Sequence, residues 1–164
     1  MAELTEVTPG PFVVEVEGLR KSFGATTVVD DVSFALRDGG SLAIVGESGS
    51  GKTTIARMLV GLERADAGTM TACGRDRSKP AASLGERRRR GREVQMVFQD
   101  ASTSLDRRQT VEQAIGEVLR IHHPQMGPDA RRARVAELAD LVGLDERSSR
   151  SVPGKLSGGQ RQRV

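Results

Sequence analysis

The residues best suited to chemistry in this sequence sit in one short run, Gly46-Glu-Ser-Gly-Ser-Gly-Lys-Thr53. Glycines at 46, 49 and 51 let the backbone curl with its N–H groups turned inward, which makes a concave nest for an anion. Lys52 brings a full positive charge for the β- and γ-phosphates of a triphosphate, and Thr53 brings a hydroxyl suited to Mg²⁺. Glu47, Ser48 and Ser50 complete the loop, and Thr54 carries it into the following segment. A helix starting near Lys52 would set its positive N-terminal end beneath the phosphates. Lysine occurs only at 21, 52, 79 and 155 in a chain whose basic residues are otherwise arginine, so a lysine inside a glycine-rich run stands out. The spacing fits G-x-x-x-x-G-K-[ST] at every fixed position and implies a nucleoside triphosphate site. A flexible Gly/Ser turn that matches by chance is the competing explanation, and the flanking segments argue against it.

Those flanks must supply a strand before the loop and a helix after it. Leu42-Ala-Ile-Val45 is a short apolar run that fits a buried parallel strand. In Lys52 to Leu62, the residues Ile55, Met58, Leu59 and Leu62 fall at i, i+3, i+4 and i+7, the period of a helix. Farther upstream, Phe12–Glu17 and Val32–Leu36 read as strands separated by a turn at Ser22–Thr27, and Asp38-Gly-Gly40 breaks the chain again. Val94–Phe98 is another strand candidate. Thr110-Val-Glu-Gln113 has capping-box spacing ahead of a helix through Val111, Ala114, Ile115, Val118 and Leu119. Asp129 is expected to cap a further helix with Val135, Leu138, Ala139 and Val142 as its buried stripe. The stretch from Ala101 to Arg150 is thus mostly helical, after a hundred residues of mixed strand and helix.

Composition bounds the rest. A length of 164 residues with 37% hydrophobic and 29% charged residues reads as one soluble domain. No apolar run approaches the ~18 residues of a membrane helix, and Met1 to Phe12 lacks the pattern of a secretory signal. The single cysteine, Cys73, excludes an internal disulfide and is expected as a small core residue. Aromatic residues are too few, with no Trp or Tyr, for an RNA-binding sheet that stacks bases on rings. Asparagine is absent, which excludes the Asn-Lys-x-Asp guanine reader of small GTPases. Arg87-Arg-Arg-Arg-Gly-Arg92, flanked by Glu86 and Glu93, is expected as a solvated surface turn rather than a nucleic-acid or lipid patch. His122-His123 is expected as a surface pair.

A second run narrows the class. In Leu156-Ser-Gly-Gly-Gln160, Ser157 and Gln160 have capping-box spacing, so a helix should begin there. Gly158 and Gly159 leave the first backbone N–H groups bare for close approach to an anion. Together with Arg161-Gln-Arg-Val164, this run resembles the signature motif of ATP-binding cassette (ABC) ATPases, and the resemblance extends from about Val13 to the last residue.

The resemblance implies an α/β P-loop NTPase fold of ABC type: a parallel core sheet, an N-terminal antiparallel β portion and a helical subdomain, incomplete at the C-terminus. It divides 1–164 into a β portion and P-loop core (1–100), a helical subdomain (101–157) and the start of the signature helix (158–164). It implies ATP and Mg²⁺ as cofactors. Phe23, in Leu19-Arg-Lys-Ser-Phe23, corresponds to the aromatic residue that stacks on adenine. Gln99 corresponds to the glutamine that reaches Mg²⁺ and the attacking water, beside Lys52 and Thr53. Leu156 to Gln160 would meet the ATP held by a second nucleotide-binding domain. The implied partners are that second domain, membrane permease subunits and, indirectly, an extracytoplasmic solute-binding protein. No nucleic acid is expected, and the implied location is the cytoplasmic face of the cell membrane.

Val94-Gln-Met-Val-Phe-Gln-Asp100, Ser104-Leu105, Thr110-Val111 and Val152-Pro153 resemble importers of the oligopeptide, dipeptide and nickel group. Ala101 and Asp106-Arg-Arg108 depart from that group's Pro and Asn-Pro-Arg. Two other readings stand beside the importer: a soluble ABC ATPase acting away from membranes, and a module that binds ATP without turnover. The family's Mg²⁺ aspartate, base glutamate and switch histidine follow the signature. They are expected to be missing from a sequence that ends at Val164, so this polypeptide is expected to bind ATP better than it hydrolyses it.

Overall fold

Alternating β-branched and charged residues give two long strands, β1 (Phe12–Phe23) and β2 (Thr26–Arg37), joined by a tight turn at Gly24. Leu19 lies opposite Val32, and Val16 opposite Phe34, so the apolar members share one face. The computed structural model describes residues 11–99 and 104–164 and divides into two units, 1–96 and 97–164.

In the first unit, β3 (Ala67–Ala72) pairs with the other edge of β1, and the two-residue β4 (Arg75–Asp76) follows it. The order is β2-β1-β3-β4, antiparallel throughout. Helix α1 (Lys52–Leu59) presents Ile55 and Met58 to Val16, Leu19, Val29 and Met70 of the sheet, and these six residues form the core. The chain leaving α1 is tied back to β1 by charge. The Lys21 ammonium lies 3.0 Å from Glu63 and 3.2 Å from Asp66, and Asp66 also accepts from the Ser22 amide at 2.7 Å. Helix α2 (Leu84–Glu93) is capped by Ser83, which accepts from the Glu86 amide.

The second unit is helical. Helix α3 (Val111–His122) begins at the Thr110/Gln113 capping box, followed by α4 (Pro128–Leu141), the short α5 (Glu146–Ser149), a 3-10 turn (Pro153–Lys155) and α6 (Gly158–Arg163). Val111, Ala139, Leu144 and Leu156 make its core. Arg163 donates to the carbonyls of Val142 and Gly143 at 3.0 and 3.1 Å, which neutralises the C-terminal end of α4.

Several sequence expectations are corrected. Leu42–Val45 and Val94–Phe98 are not strands. A parallel strand needs ladder partners, and every strand pair among the described residues is antiparallel; Val45 is accordingly 91% exposed and Val97 97% exposed. Helix α1 stops at Leu59 rather than Leu62, because Gly61 adopts φ +78° and the Leu62 amide turns back to the Arg57 carbonyl. The arginine run is the body of α2 rather than a turn, since the Ser83 cap and the Glu86–Arg90 pair stabilise helix there. Cys73 is exposed in a tight turn at φ 51°, not in the core. Helix α4 is entered through Gly127 and Pro128, and Asp129 pairs with Arg132 instead of capping. Its stripe ends at Ala139, with Val142 exposed. Of the histidine pair, His122 is half-buried and His123 exposed. Asp100 and Ala101, and the segment before Pro11, lie outside the described residues.

Candidate nucleotide-binding site

The glycine-rich loop is held by the sheet it rests on. Gly51 caps α1 with φ +87°, and a Cβ there would sit 2.5 Å from the Val28 carbonyl oxygen of β2, so only glycine lets the loop lie this close. A Cβ on Gly46 would come within 2.7 Å of Ser50 Oγ, so the loop curls tightly on itself. Lys52 Nζ donates to the carbonyls of Gly46 (2.8 Å) and Glu47 (2.5 Å) and to Ser50 Oγ (3.2 Å). All three ammonium donors are therefore spent on the loop's own oxygens, and the charge is drawn into the bend from position 52.

Beneath it, α1 has no side-chain cap and no acidic residue in its first turn. Its leading amides therefore carry no intrahelical partner, and the positive end of the helix is uncompensated. Thr53, the second helical residue, is exposed. A ring of carbonyls, a lysine on a flexible stem and open amides can exchange partners with a phosphate chain. Among the described residues no cluster of three His, Cys, Asp or Glu side chains exists that would cage a metal by itself. That donor set fits Mg²⁺ held by the Thr53 hydroxyl and phosphate oxygens, the usual habit of this ion.

Phe23 closes the β1–β2 hairpin opposite Thr26, on the hairpin that Gly51 packs against, and the residue is 49% exposed. Lys21, two residues earlier, places its ammonium 5.1 Å from the ring centroid. That ammonium is itself fixed by Glu63 and Asp66. Its hydrogen bond to Glu63 holds the Lys21 pKa above the usual lysine value and the Glu63 pKa below the usual carboxylate value. Asp66 is lowered as well, chiefly by the Ser22 amide and then by Lys21.

In the second unit, Ser157 caps α6. Its Oγ accepts from the Gln160 amide (3.2 Å), and Gln160 Oε1 accepts from the Ser157 amide (2.9 Å), which is the expected capping box. Leu156 anchors the turn in the core, whereas a Cβ on Gly158 or Gly159 would meet nothing within 4 Å. The first turn of α6 thus offers bare backbone. Gln160 also donates from Nε2 to Ser148 Oγ at 2.9 Å. Sequence reasoning missed Ser148, because no local spacing links residues twelve apart. Gln99 is exposed.

A family model described as ABC transporter matches residues 29–164, from β2 through α6. The chain belongs to the ABC transporter family. Similar curated proteins of this family include the oligopeptide transport ATP-binding protein OppD of Mycobacterium tuberculosis, 42% identical over 89% of this chain and 23% of its own length. The methionine import ATP-binding protein MetN of Mesorhizobium japonicum is 43% identical over 93% of this chain and 40% of its own. OppF of Lactococcus lactis is 38% identical over 83% of this chain and 42% of its own length. The chain therefore spans between 23% and 42% of these ABC relatives.

Among solved structures, the dimeric ATP-binding cassette MJ0796 bound to ADP and Pi has a TM-score of 0.80 at 24% identity, covering 92% of this chain and 66% of that one. The cbiO1 protein of Clostridium perfringens, part of the ABC transporter complex cbiONQ, gives 0.70 at 23%, covering 93% and 58%. These likenesses fix the fold as that of ABC ATPase cassettes, mixed α/β with the antiparallel sheet at the N-terminal end.

Proposed function

We propose that this chain is part of the ATP-binding subunit of an ABC importer, in which the loop Gly46–Thr54 takes the triphosphate of MgATP. The observation that carries the reading is the Lys52 ammonium held inside the glycine loop by Gly46, Glu47 and Ser50, at the start of α1, whose glycine cap brings no side-chain hydrogen bond. On binding, Lys52 exchanges loop carbonyls for β- and γ-phosphate oxygens, and the α1 amides complete the cradle. Thr53 and the phosphate oxygens would hold Mg²⁺, which would supply charge neutralisation for phosphoryl transfer. Phe23 stacks on the adenine with its exposed ring face. The bare first turn after Ser157 meets the γ-phosphate of an ATP bound by a second nucleotide-binding domain, and Gln99 serves Mg²⁺ and the attacking water. Hydrolysis then drives permease subunits that sit in the membrane, with this chain peripheral to them on the cytoplasmic face. Among the described residues no helix is long and apolar enough to cross a bilayer, which fits a subunit that relies on others to span it. The relatives are named for oligopeptide transport and methionine import, so the reading stops at a small-solute importer.

The test is a calorimetric titration of MgATP into the wild type and Lys52→Ala. Loss of one charge-assisted contact set is worth about 1.5–3 kcal/mol, or roughly ten- to hundredfold in affinity. Unchanged affinity in a folded variant would sink the assignment. Phosphate release and recovery on permease-containing membranes separate an importer subunit from a soluble ATPase and from a module that only binds.

A further inference from the structure

The arginine run that the nucleotide site leaves unused is divided by the fold into two kinds of residue. Arg90 is committed: it bonds Glu86 and the carbonyls of Lys79 and Asp76. Arg87, one turn earlier on α2, makes no side-chain hydrogen bond or ion pair among the described residues, and it lines a cleft of about 510 Å³ together with Arg64 and Lys79. The walls are the turn after α1 (60–65), the segment 77–81 and α2. The side chains of Arg64 and Lys79 likewise have no hydrogen-bonded partner among the described residues. Arg64 and Lys79 act on Asp66 and Asp76 through charge alone, and those carboxylates accept their hydrogen bonds from elsewhere, Asp66 from Lys21 and the Ser22 amide and Asp76 from the Ser78 amide. The one acidic residue lining the cleft, Glu63, is paired with Lys21.

A fourth cation lines the same cleft. Arg77 is only 6% exposed; it bonds Glu93 through one nitrogen while its Nε has no partner. Burial lowers its pKa from the usual guanidinium value, and the Glu93 carboxylate beside it is shared with Arg75. Three cations without a hydrogen-bonded carboxylate line a concave space of ligand size together with Arg77, and this excess of positive charge calls for an anion. Arginine forks match tetrahedral and planar oxyanions in bidentate fashion. Val60, Leu62 and Pro80 in the walls give room for an organic body beyond the anionic group.

We propose that this cleft binds a phosphate-bearing ligand through Arg64, Lys79 and Arg87, separately from the nucleotide loop. The ligand is either a soluble phosphate ester or the headgroup of an anionic lipid, since both present the same chemistry.

Inorganic pyrophosphate titrated into the full chain by calorimetry is the direct probe, with two sites expected. Lys52→Ala should remove the loop site and leave the other. Arg64→Ser combined with Arg87→Ser should weaken the cleft site at least tenfold and leave the loop site. Neither arginine holds another element through its side chain, so the double variant should fold, as circular dichroism would verify. Arg88→Ser, on the exposed surface of the same helix but outside the cleft lining, should change nothing. A single pyrophosphate site abolished by Lys52→Ala would overturn the proposal while leaving the nucleotide reading intact. Equal losses in Arg88→Ser and the double variant would overturn it too, by reducing the effect to general surface charge. Flotation with phosphatidylcholine vesicles containing phosphatidylglycerol distinguishes the sources. Vesicle binding lost in the double variant supports a lipid headgroup, and pyrophosphate binding without vesicle binding supports a soluble ester. Binding of a glutamate-rich peptide in place of pyrophosphate would overturn the phosphate assignment in favour of a protein partner.

Discussion

Two glycines of the phosphate loop have nearly the same backbone conformation and very different surroundings, and this makes them a controlled pair. Gly49 has φ +85°, and a Cβ added there would meet nothing within 4 Å. Gly51 has φ +87°, and its Cβ would meet the Val28 carbonyl oxygen at 2.5 Å and Val29 Cγ2 at 3.1 Å. Replacing either by alanine forces a left-handed conformation, at about 1–2 kcal/mol. It also removes unfolded-state entropy, which returns about 0.4–1 kcal/mol. Gly49→Ala should therefore destabilise by roughly 1 kcal/mol. Gly51→Ala carries the same balance plus an overlap with strand backbone that cannot rotate away. Overpacking of this kind adds about 1–3 kcal/mol. The loop should also lift from β2, so MgATP affinity should fall with stability. Urea unfolding followed by circular dichroism reads the difference, a separation of the two midpoints on the order of 1 M at typical denaturant slopes. Equal midpoints for the two variants would refute the claim that the loop is seated on β2 through Gly51.

Phe23→Ala should weaken ATP by about 1–3 kcal/mol, the usual worth of a base–aromatic stack, and leave inorganic tripolyphosphate unaffected; equal losses for both ligands would make Phe23 a structural residue. The Lys21–Glu63–Asp66 cluster predicts a pH profile. The folded pKa values of Glu63 and Asp66 lie below their ordinary 4.5 and 3.8, so their contribution is present above those values and lost as pH falls through the folded ones. Lys21 lies above its ordinary 10.5, so its contribution is full below that pH and lost only in stronger alkali. Asp66→Asn should therefore be less stable than wild type from pH 5 to 9 on thermal unfolding, with the gap closing below about pH 4. A gap that persists undiminished at pH 2 would refute the charge account. Ser148→Ala should loosen α6 by about 0.5–1.5 kcal/mol through the lost Gln160 bond, seen as faster amide exchange at Ser157 and Gln160; unchanged exchange there would count against the coupling.

What the sequence disclosed and what it withheld follow from the range of the interactions involved. Capping boxes at Thr110/Gln113 and Ser157/Gln160 span three residues, and both formed as the spacing required. The cores of β1 and β2, Phe12–Glu17 and Val32–Leu36, were legible from their apolar, β-branched content, whereas their antiparallel pairing was implied only by the family resemblance, and the strands run on to Phe23 and back to Thr26. Leu42–Val45 carries the same apolar content as a buried strand, but a strand is defined by its neighbours. An antiparallel sheet in the order β2-β1-β3-β4 gives that segment no ladder. The arginine run misled for a related reason: its composition says only that it is solvated, whereas Ser83 and the Glu86–Arg90 pair decide that it is helix. Within the site, Lys52 and the glycines were legible because a phosphate-binding bend limits residue type at each position. The carbonyls that hold Lys52 were not, since any residue type supplies them. Contacts made through backbone oxygens leave no mark in a sequence, and the seating of Gly51 on Val28 is a case in point: the glycine is readable, while the strand that demands it is found only in the fold.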